Sequence, residues 1–576
     1  MGRLVMAVKR KKNRGEALQR LWFNSWPEGI HKHIEYPEVP LFRLLEETAQ
    51  KYPGNTALVY FDREISYQEL DSAANKFAVA LSDSGVKKGD RVALFLPNIP
   101  QFVISYYGAS RVGAVVTAIS PLYKEREVEH QLSDSEAQTI VVLDLLYPIV
   151  EKVLGKTQLK RVVVTSLKEY MPKAKAVLGS LLRKIPSRKV EQKPNVHLFQ
   201  ELIAKNAGKP PEININPEKD LAALQYTGGT TGTAKAAMLT HKNLVSNAIM
   251  CAAWLNGTEG KETFLTVLPL FHIYGMTTGM NAPIYLAGKM VMLPRFDVAS
   301  TFKAIQKHKV TVFCGAPTMY SMLLDHPDLG KYDCTSIRFC ISGSAPLPPE
   351  VQKKFMEVTG GALVEGYGLT ESSPVTHCNP LDRSMKTVKV GSIGLPWPDT
   401  DAKIVDIDTG ETELQPGEIG EVAVKGPQVM KGYWKMAEET AAVLRDGWLY
   451  TGDIGKMDAE GYFHITDRKK DLIKYKGYSV YPRELEDILY EHPTVKLCGV
   501  IGKPDPVAGE VPKAFIVLKE GANVTEEGIM NFVNKSVASY KAIREVEIRT
   551  QLPMTLVGKV LKRELQEEER KKTAKT

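Results

Sequence analysis

Short apolar runs alternate with amphipathic helical patterns between about residues 40 and 380. Helical periodicity covers 68–84 and 125–133, between apolar runs of strand length. Nearly continuous apolar strands that alternate with helices are typical of sheets covered on both faces. The pattern therefore predicts an α/β fold with largely parallel sheets. The runs predicted as buried strands are RVALFLP (91–97), TIVVLD (139–144), RVVVTS (161–166), LAALQY (221–226), KMVMLP (289–294) and VTVFCG (310–315).

The pattern changes twice toward the C-terminus. Between residues 390 and 465 it becomes short strands and turns, including the alternating run IGEVAVKG (419–426), which predicts a β-rich subdomain. After DRKKD (467–471) the chain is typical of a compact α+β unit. We expect three parts: a basic N-terminal arm (1–39), a large domain (40–469) that includes the β-rich subdomain (390–465), and a C-terminal domain (470–576).

The positive charge of the chain is unevenly distributed. Lys and Arg total 75 against 67 Asp and Glu, a net charge of +8. Residues 1–20 carry seven basic side chains and one acidic one, and residues 160–193 carry ten basic and two acidic ones. Because these two segments account for more than the whole excess, the rest of the chain is net acidic.

Several function classes lack their usual signatures. The sequence has no run of about 18 apolar residues, so no membrane-spanning helix is predicted. The six cysteines are scattered and form no Cys-x-x-Cys pair, which favours a cytoplasmic location and argues against zinc or disulfide frameworks. The motifs of zincins, serine hydrolases and Rossmann oxidoreductases are absent as well.

The segment LAALQYTGGTTGTAKAAMLTH (221–241) carries the strongest chemical signal. A predicted strand leads into glycines, threonines and Lys235, and a helix is predicted to begin near Thr240. Glycines let backbone N–H groups approach phosphate oxygens, while hydroxyls and a lysine add donors and charge. The segment is not a Walker A loop, because a Walker A lysine is followed by Ser or Thr, whereas Ala236 follows Lys235. A phosphate-binding loop is predicted, with a flexible loop that binds no ligand as the alternative.

This loop closely resembles the signature loop of the adenylate-forming superfamily, which includes acyl-CoA synthetases, firefly luciferases and peptide-synthetase adenylation domains. One departure is Ala236, where family members commonly have glycine. The resemblance covers about residues 40–570. It implies a large N-terminal domain of stacked mixed sheets with helices, and a small mobile α+β C-terminal domain. The other matching segments, in order, are LPLFHIYG (268–275), SGSAPLP (342–348), GYGLTE (366–371), WLYTGD (448–453), TDRKKDLIKYKGYSVYP (466–482) and LPMTLVGKVLKREL (552–565).

The resemblance implies a two-step reaction: a carboxylate and ATP give acyl-AMP and pyrophosphate, and a thiol then takes the acyl group. It implies that Tyr367 lies against adenine, Thr370 binds the α-phosphate, Glu371 holds Mg²⁺, and Asp453 accepts both ribose hydroxyls with Arg468 beside it. The nucleotide-binding residues that it implies are Thr227, Gly228, Gly229, Thr230, Thr231, Gly232, Lys235, Ser344, Ala345, Pro346, Gly366, Tyr367, Gly368, Asp453 and Arg468.

The remaining site residues are also implied by the resemblance. Lys559 would bridge the carboxylate and the α-phosphate, although a lysine near a C-terminus is usually just solvated. Lys470 would be the hinge of a C-terminal domain that rotates between the two steps. That rotation would present Lys474 and Gly477 to CoA, and His272 would border the acyl entrance.

The acid itself is less constrained. Residues 21–53 and 120–137 look like those of bacterial long-chain fatty acyl-CoA ligases, which predicts a medium- to long-chain fatty acid, with ATP, Mg²⁺ and CoA. Alternatives are a ligase for an aromatic or short branched acid, a ligase that loads a carrier protein, or a non-catalytic homologue. Small residues at helical spacing, from Gly275 to Ala282, would either permit close packing or line an acyl channel. Dimers occur in the family, so a homodimer is possible.

The segment PKAKAVLGSLLRKIP (172–186) predicts a basic amphipathic helix with Pro172 at its first position. Its apolar face is Ala174, Val177, Leu178, Leu181, Leu182 and Ile185. We expect either peripheral contact with an anionic membrane, together with the N-terminal arm, or a helix docked on the body with its basic face in solvent. No aromatic residues interleave the basic ones, so nucleic-acid binding is not expected.

Overall fold

Strands and helices alternate through the first two-thirds of the chain. The structure, a computed structural model, describes residues 20–182, 185–191, 193–205, 209–227, 234–476, 478–555 and 559–573. The strands are β1 (Thr56–Tyr60), β2 (Arg63–Ser66), β3 (Arg91–Phe95), β4 (Val115–Ala118), β5 (Thr139–Leu143), β6 (Arg161–Thr165), β7 (Val196–Leu198), β8 (Leu221–Tyr226), β9 (Ala236–Thr240), β10 (Thr263–Thr266), β11 (Lys289–Met292), β12 (Phe339–Ser342), β13 (Ala362–Gly368), β14 (Val375–Cys378), β15 (Leu395–Pro396), β16 (Asp401–Val405), β17 (Gly420–Lys425), β18 (Gly432–Tyr433), β19 (Leu444–Arg445), β20 (Trp448–Met457), β21 (Phe463–Arg468), β22 (Ile473–Tyr475), β23 (Tyr478–Val480), β24 (Val495–Asp505), β25 (Gly509–Leu518) and β26 (Glu545–Ile548).

Most of the helices connect these strands. They are α1 (Arg43–Lys51), α2 (Tyr67–Asp83), α3 (Pro100–Arg111), α4 (Glu125–Ser135), α5 (Tyr147–Val153), α6 (Lys173–Leu181), α7 (Phe199–Lys205), α8 (His241–Leu255), α9 (Ile273–Met276), α10 (Ala282–Tyr285), α11 (Val298–His308), α12 (Pro317–Leu324), α13 (Pro349–Thr359), α14 (Ala437–Val443), α15 (Pro482–Glu491), α16 (Glu526–Asn534) and α17 (Lys562–Thr573). A π-helical turn, Thr277–Asn281, joins α9 to α10.

The strands form five sheets, which confirms the predicted α/β class. The eight-stranded sheet has the order β18-β9-β8-β4-β3-β5-β6-β7, and its strands from β8 to β7 are all parallel. Two four-stranded sheets, β10-β11-β1-β2 and β12-β13-β14-β15, mix parallel and antiparallel pairs. Strands β16, β17, β19, β20 and β21 form an antiparallel sheet, and β22–β26 form the last one.

Two local expectations were wrong. Residues 310–315 form no continuous strand; Val312 and Gly315 make only isolated bridges, because the chain soon turns into α12. The strand β9 was missed, because Ala-Ala-Met-Leu-Thr lacks the alternation of a typical strand. It pairs antiparallel with β8 and leads directly into α8, whose N-cap is Thr240 as expected.

The largest hydrophobic core lies between the sheets and the helices that cover them. Every residue of α3 is buried, including Arg111, whose guanidinium pairs with Glu46 of α1 at 2.7 Å and with Asp71 of α2 at 2.6 Å. These two carboxylates compensate the charge that burial would otherwise leave unpaired. Separate smaller clusters lie under α4 and α5, and inside the sheet of β22–β26. Among the described residues, no helix has the length and apolar character needed to cross a membrane.

Candidate active site

The antiparallel pair β20 and β21 places Asp453 opposite Arg468. Arg468 Nε lies 3.0 Å from Asp453 Oδ1, and the Tyr367 hydroxyl donates a hydrogen bond to Oδ2. Burial, followed by the charge of Asp453, raises the pKa of Tyr367 well above its ordinary value, so the hydroxyl stays a donor. The carboxylate of Asp453 is almost fully buried, and each of its oxygens has one of these two partners.

Lys559 lies beside this pair although it comes from the far end of the chain. Its backbone N–H donates to Thr555 Oγ1 at 3.0 Å, and its carbonyl accepts from Thr555 N at 2.8 Å, which closes a tight turn. The positive charge of Arg468, followed by burial, lowers the pKa of Lys559 to about 7, while Asp453 opposes the shift. The amine is therefore a cation whose charge depends on what else occupies the site.

The proposed metal ligand is linked to the phosphate loop by a tyrosine that the sequence did not reveal. The Tyr433 hydroxyl donates to Glu371 Oε1 at 2.6 Å, and Lys235 Nζ lies 5.2 Å from the centre of the Tyr433 ring. The backbone N–H of Met430 also donates to the Glu371 carbonyl at 2.8 Å. A tyrosine in a short strand usually packs in a core, so no sequence signal distinguished Tyr433.

The two ends of the predicted phosphate loop meet at the hairpin of β8 and β9. The backbone N–H of Thr227 donates to the Lys235 carbonyl at 2.8 Å. Ala236, the departure from the family pattern, is buried within β9 opposite Tyr226, so its methyl group is accommodated there. The predicted residues between the two ends, Gly228, Gly229, Thr230, Thr231 and Gly232, lie outside the described residues.

Two further predicted segments follow neighbouring parallel strands. Ser344, Ala345 and Pro346 come after β12, while Gly366 and Gly368 end β13 and Thr370 follows it. Both segments thus lie at the carboxyl ends of adjacent strands, where α/β folds bind ligands. A Cβ on Gly368 would lie 2.1 Å from the Pro374 carbonyl oxygen, so a side chain there would displace this loop.

His272 caps the N-terminus of α9, and its Nδ1 accepts from the backbone N–H of Tyr274 at 3.2 Å. Burial lowers the pKa of His272 to about 4, so the ring is neutral near pH 7. The Tyr274 hydroxyl donates to the Ile341 carbonyl at 2.8 Å, and the Tyr274 ring adjoins Gly343. The His272 segment therefore lies against the loop that carries Ser344.

The small-residue helical face beside His272 serves close packing at one end. A Cβ on Gly275 would lie 2.4 Å from the Pro269 carbonyl oxygen, whereas a Cβ on Gly279 would meet nothing closer than 3.6 Å. The π-helical turn also interrupts the regular helical spacing that the sequence predicted.

The remaining predicted residues lie in the turn after β21 and in the sheet of β22–β26. Lys470 follows Arg468 by two residues in that turn; partial burial, followed by the Arg468 charge, lowers its pKa, so it lies near the Asp453–Arg468 pair. Lys474 Nζ donates to Ser479 Oγ at 2.9 Å, and its backbone N–H donates to Glu510 Oε2 at 2.9 Å, both within the sheet of β22–β26. Gly477 lies outside the described residues.

Comparison with known proteins gives matches along nearly the whole chain. Residues 45–434 match the family model "AMP-binding enzyme", and residues 484–559 match "AMP-binding enzyme C-terminal domain". A long-chain-fatty-acid–CoA ligase of Bacillus subtilis is 47% identical over 96% of this chain and 98% of its own length. One of Escherichia coli O157:H7 is 37% identical over 96% and 99%.

Among solved structures, ATP-bound MatB from Rhodopseudomonas palustris is similar with a TM-score of 0.79 and 30% sequence identity. The match covers 92% of this chain and 98% of that one. Its fold match and the family models agree with one another. The chain belongs to the AMP-binding enzyme family, the adenylate-forming enzymes.

Proposed function

We propose that this site activates a medium- to long-chain fatty acid with ATP and transfers it to CoA. In the first step a carboxylate oxygen of the acid bonds to the α-phosphorus of ATP, and pyrophosphate leaves. In the second step the CoA thiol attacks the acyl carbon, and AMP leaves. The fatty acid substrate is supported by ligase relatives that are up to 47% identical over nearly the full length. The chain is an AMP-forming fatty acid–CoA ligase.

The observation that carries the assignment of roles is the position of Lys559 beside Asp453 and Arg468. The first step brings an anionic carboxylate to an anionic phosphate, so donors and cations must face the developing charge. Asp453 has two carboxylate oxygens and can accept from both hydroxyls of a ribose. If the ribose binds there, the neighbouring Lys559 amine is the group that would face the α-phosphate and the acyl carboxylate.

The residues present also fit a magnesium ion that accompanies ATP. Mg²⁺ prefers hard oxygen ligands and usually takes only one or two carboxylates in addition to phosphates and water. Glu371 supplies such a carboxylate, and Tyr433 fixes its orientation through Oε1 alone. Bound there, the ion would neutralise phosphate charge, and Lys235 and Thr227 would also bind the phosphates.

A screen of acids tests the substrate class. Pyrophosphate release would be measured with octanoate, dodecanoate, hexadecanoate, 4-coumarate and isobutyrate, with and without CoA. We expect the highest kcat/KM with dodecanoate or hexadecanoate, and acyl-CoA only when CoA is present. Preference for 4-coumarate or isobutyrate would overturn the fatty acid assignment, and release from no acid would indicate a non-catalytic homologue.

The variant Lys559→Ala separates adenylate formation from thioester formation. Lys559→Ala should release pyrophosphate at least one hundred-fold more slowly, as is typical when one preorganised donor is removed. The same variant should still make acyl-CoA from supplied acyl-AMP. Normal adenylation by Lys559→Ala would contradict the role given to this lysine.

We place the boundary between the two domains at Lys470, with a 40–469 domain that includes the 390–465 subdomain and a 470–576 domain. Rotation there would withdraw Lys559 and bring Lys474 and Gly477 toward the thiol. The separate sheet of β22–β26 supports this division.

Outside the site, we propose a cytoplasmic protein that contacts an anionic membrane peripherally through residues 160–193 and the basic N-terminal arm. The arm lies outside the described residues up to residue 19, as do Arg183 and Lys184. The homodimer stays a prediction, which sedimentation at several protein concentrations would test.

A further inference from the structure

Helix α6 presents its apolar side chains to solvent. Val177, Leu178, Leu181 and Leu182, called here the α6 apolar face, are 68%, 56%, 79% and 53% exposed. No residue of α6 is buried. The helix docks on the body, as in one of the two arrangements expected from the sequence, since Ala176 and Ile185 pack against the main core; four of its apolar side chains nevertheless lie in solvent. Pro172 also precedes the helix as its N-cap and is not its first residue.

The contacts of α6 with the body fix which side faces outward. Lys175 Nζ donates to the Phe61 carbonyl at 3.1 Å and pairs with the Asp62 carboxylate. Ile185 folds back on Gly179, where its backbone N–H donates to the Gly179 carbonyl at 3.2 Å. A Cβ on Gly179 would lie 2.2 Å from Ile185 Cδ1, so a side chain there would require the Ile185 side chain to move. The apolar face lies on the side of the helix away from these contacts.

Basic residues precede and follow the α6 apolar face in the sequence. The exposed side chains of Lys173, Arg188 and Lys189 form no ion pair with any residue that the structure describes. Phe61, at the turn that Lys175 contacts, is itself 41% exposed. Contiguous exposed apolar side chains with a basic rim are typical of a surface that binds an anionic lipid interface.

We propose that the α6 apolar face inserts into the surface of an anionic phospholipid membrane, with the neighbouring lysines and Arg188 at the headgroups. Charge complementarity favours this occupant, since residues 160–193 carry ten basic and two acidic side chains while the chain outside the two basic segments is net acidic. The proposal deepens the membrane contact proposed above, and its geometry is independent of the ligase chemistry. The advantage of membrane binding rests on the proposed function. Long-chain fatty acids partition into bilayers, so a ligase bound there would meet its substrate.

The test uses the full-length protein and vesicles of phosphatidylcholine with 30% phosphatidylglycerol, or phosphatidylcholine alone, in flotation and sedimentation assays. Three proteins would be compared: wild type, the double variant Leu178→Gln/Leu181→Gln, and a control double variant Leu122→Gln/Met322→Gln. The control residues are 61% and 53% exposed and lie elsewhere on the surface. All four substituted side chains are largely solvated, so folding is expected to be unchanged.

We expect wild type and the control to bind the anionic vesicles, with weak binding to phosphatidylcholine alone. On the proposal, Leu178 and Leu181 become buried in the bilayer. Their replacement should therefore lower the vesicle partition coefficient of the α6 variant by at least roughly tenfold. Lys173→Gln/Lys189→Gln should lower it by about thirtyfold and reduce its salt dependence. A Trp at the end of the face, Leu182→Trp, should show a blue-shifted emission when anionic vesicles are added.

Vesicle binding by the α6 variant equal to that of wild type, or no binding by wild type, would overturn the proposal. So would a wild-type dimer that the Leu178→Gln/Leu181→Gln variant converts to a monomer without change in vesicle binding, since the face would then join two copies. Pyrophosphate release with octanoate, a soluble acid, should be equal in all the variants. Failure of vesicle binding with normal octanoate activity would reject this surface alone, whereas absent activity in wild type would reject the ligase assignment.

Discussion

Binding of ATP should be coupled to uptake of a proton by Lys559. The Arg468 charge and burial lower the pKa of this lysine to about 7 when no nucleotide is bound. At pH 8 an amine with this pKa is only about one-tenth protonated. Bound phosphates favour the charged form and raise the pKa again, toward the ordinary value of lysine. We therefore expect uptake of about 0.9 proton per site at pH 8, and about 0.1 at pH 6, where the lysine is already charged.

Isothermal titration calorimetry measures this uptake directly. α,β-Methylene-ATP with Mg²⁺ would be titrated into the enzyme at pH 8 in buffers of different ionisation enthalpy, and the slope of the observed enthalpy gives the number of protons. Lys559→Met should abolish the uptake. Arg468→Gln should reduce it, because the pKa of Lys559 then starts nearer its ordinary value, whereas Arg468→Lys keeps a positive charge and should retain most of it.

Either of two results would contradict proton uptake by Lys559. A zero slope at pH 8 for the wild type would mean that Lys559 is already charged in the free enzyme or does not approach the phosphates. An unchanged slope in Lys559→Met would assign the proton to another group.

Three further substitutions test separate parts of the site. Tyr433→Phe removes the 2.6 Å hydrogen bond to Glu371 and should raise the Mg²⁺ concentration for half-maximal adenylation about tenfold; an unchanged Mg²⁺ titration would contradict this positioning role. Lys470→Pro should slow thioester formation more than adenylation in single-turnover assays, with Lys470→Ala as the side-chain control, and equal loss of both steps would refute a hinge at this residue. Gly275→Ala places a Cβ 2.4 Å from the Pro269 carbonyl oxygen and should lower the free energy of unfolding by about 1–3 kcal/mol in urea, whereas Gly279→Ala, with 3.6 Å of room, should be neutral or stabilising. Equal effects of the two glycine substitutions would show that the Pro269 contact is not what requires glycine.

The fold class was predictable because burial dominates the sequence pattern. The run LAALQY is β8 without a residue of difference, and the alternating run at 419–426 contains β17. The strand β9 was missed because its residues are held by pairing with β8 and β18, and neither partner is visible in a local window. The stretch 310–315 is apolar enough for a strand, but its neighbours accept only single-residue bridges.

The site could be assigned from the sequence only where a motif carried it. Nothing in the spacing of Asp453 and Arg468 indicates that they face each other; the antiparallel register does that. A lysine near a C-terminus is typical of a solvated tail, and the shifted pKa of Lys559 comes from residues far away in the sequence. Tyr433 acts through a hydrogen bond across the fold, which leaves no trace in its own segment.

The orientation of α6 was likewise not predictable from the sequence. Periodicity identified an apolar face but did not show which side of the helix the body would cover. The polar edge at Lys175 and the glycine contact at Gly179 decide that.

The charges proposed to bind the nucleotide and those proposed to bind a membrane lie in different parts of the chain. At the nucleotide site, Arg468 is paired with Asp453, and Lys559 is mostly uncharged at pH 8 until an anion arrives. An amine of this kind gives little long-range attraction in the free enzyme, and in the role proposed for Lys559 it would gain its full charge when the phosphates bind. The excess positive charge lies instead in segments such as 160–193, where exposed lysines act over about a Debye length and are weakened by salt. On the proposed membrane contact, the net charge of +8 would bear on where the enzyme meets a lipid surface, while the proposed chemistry would depend on a few cations whose charge is set by their neighbours.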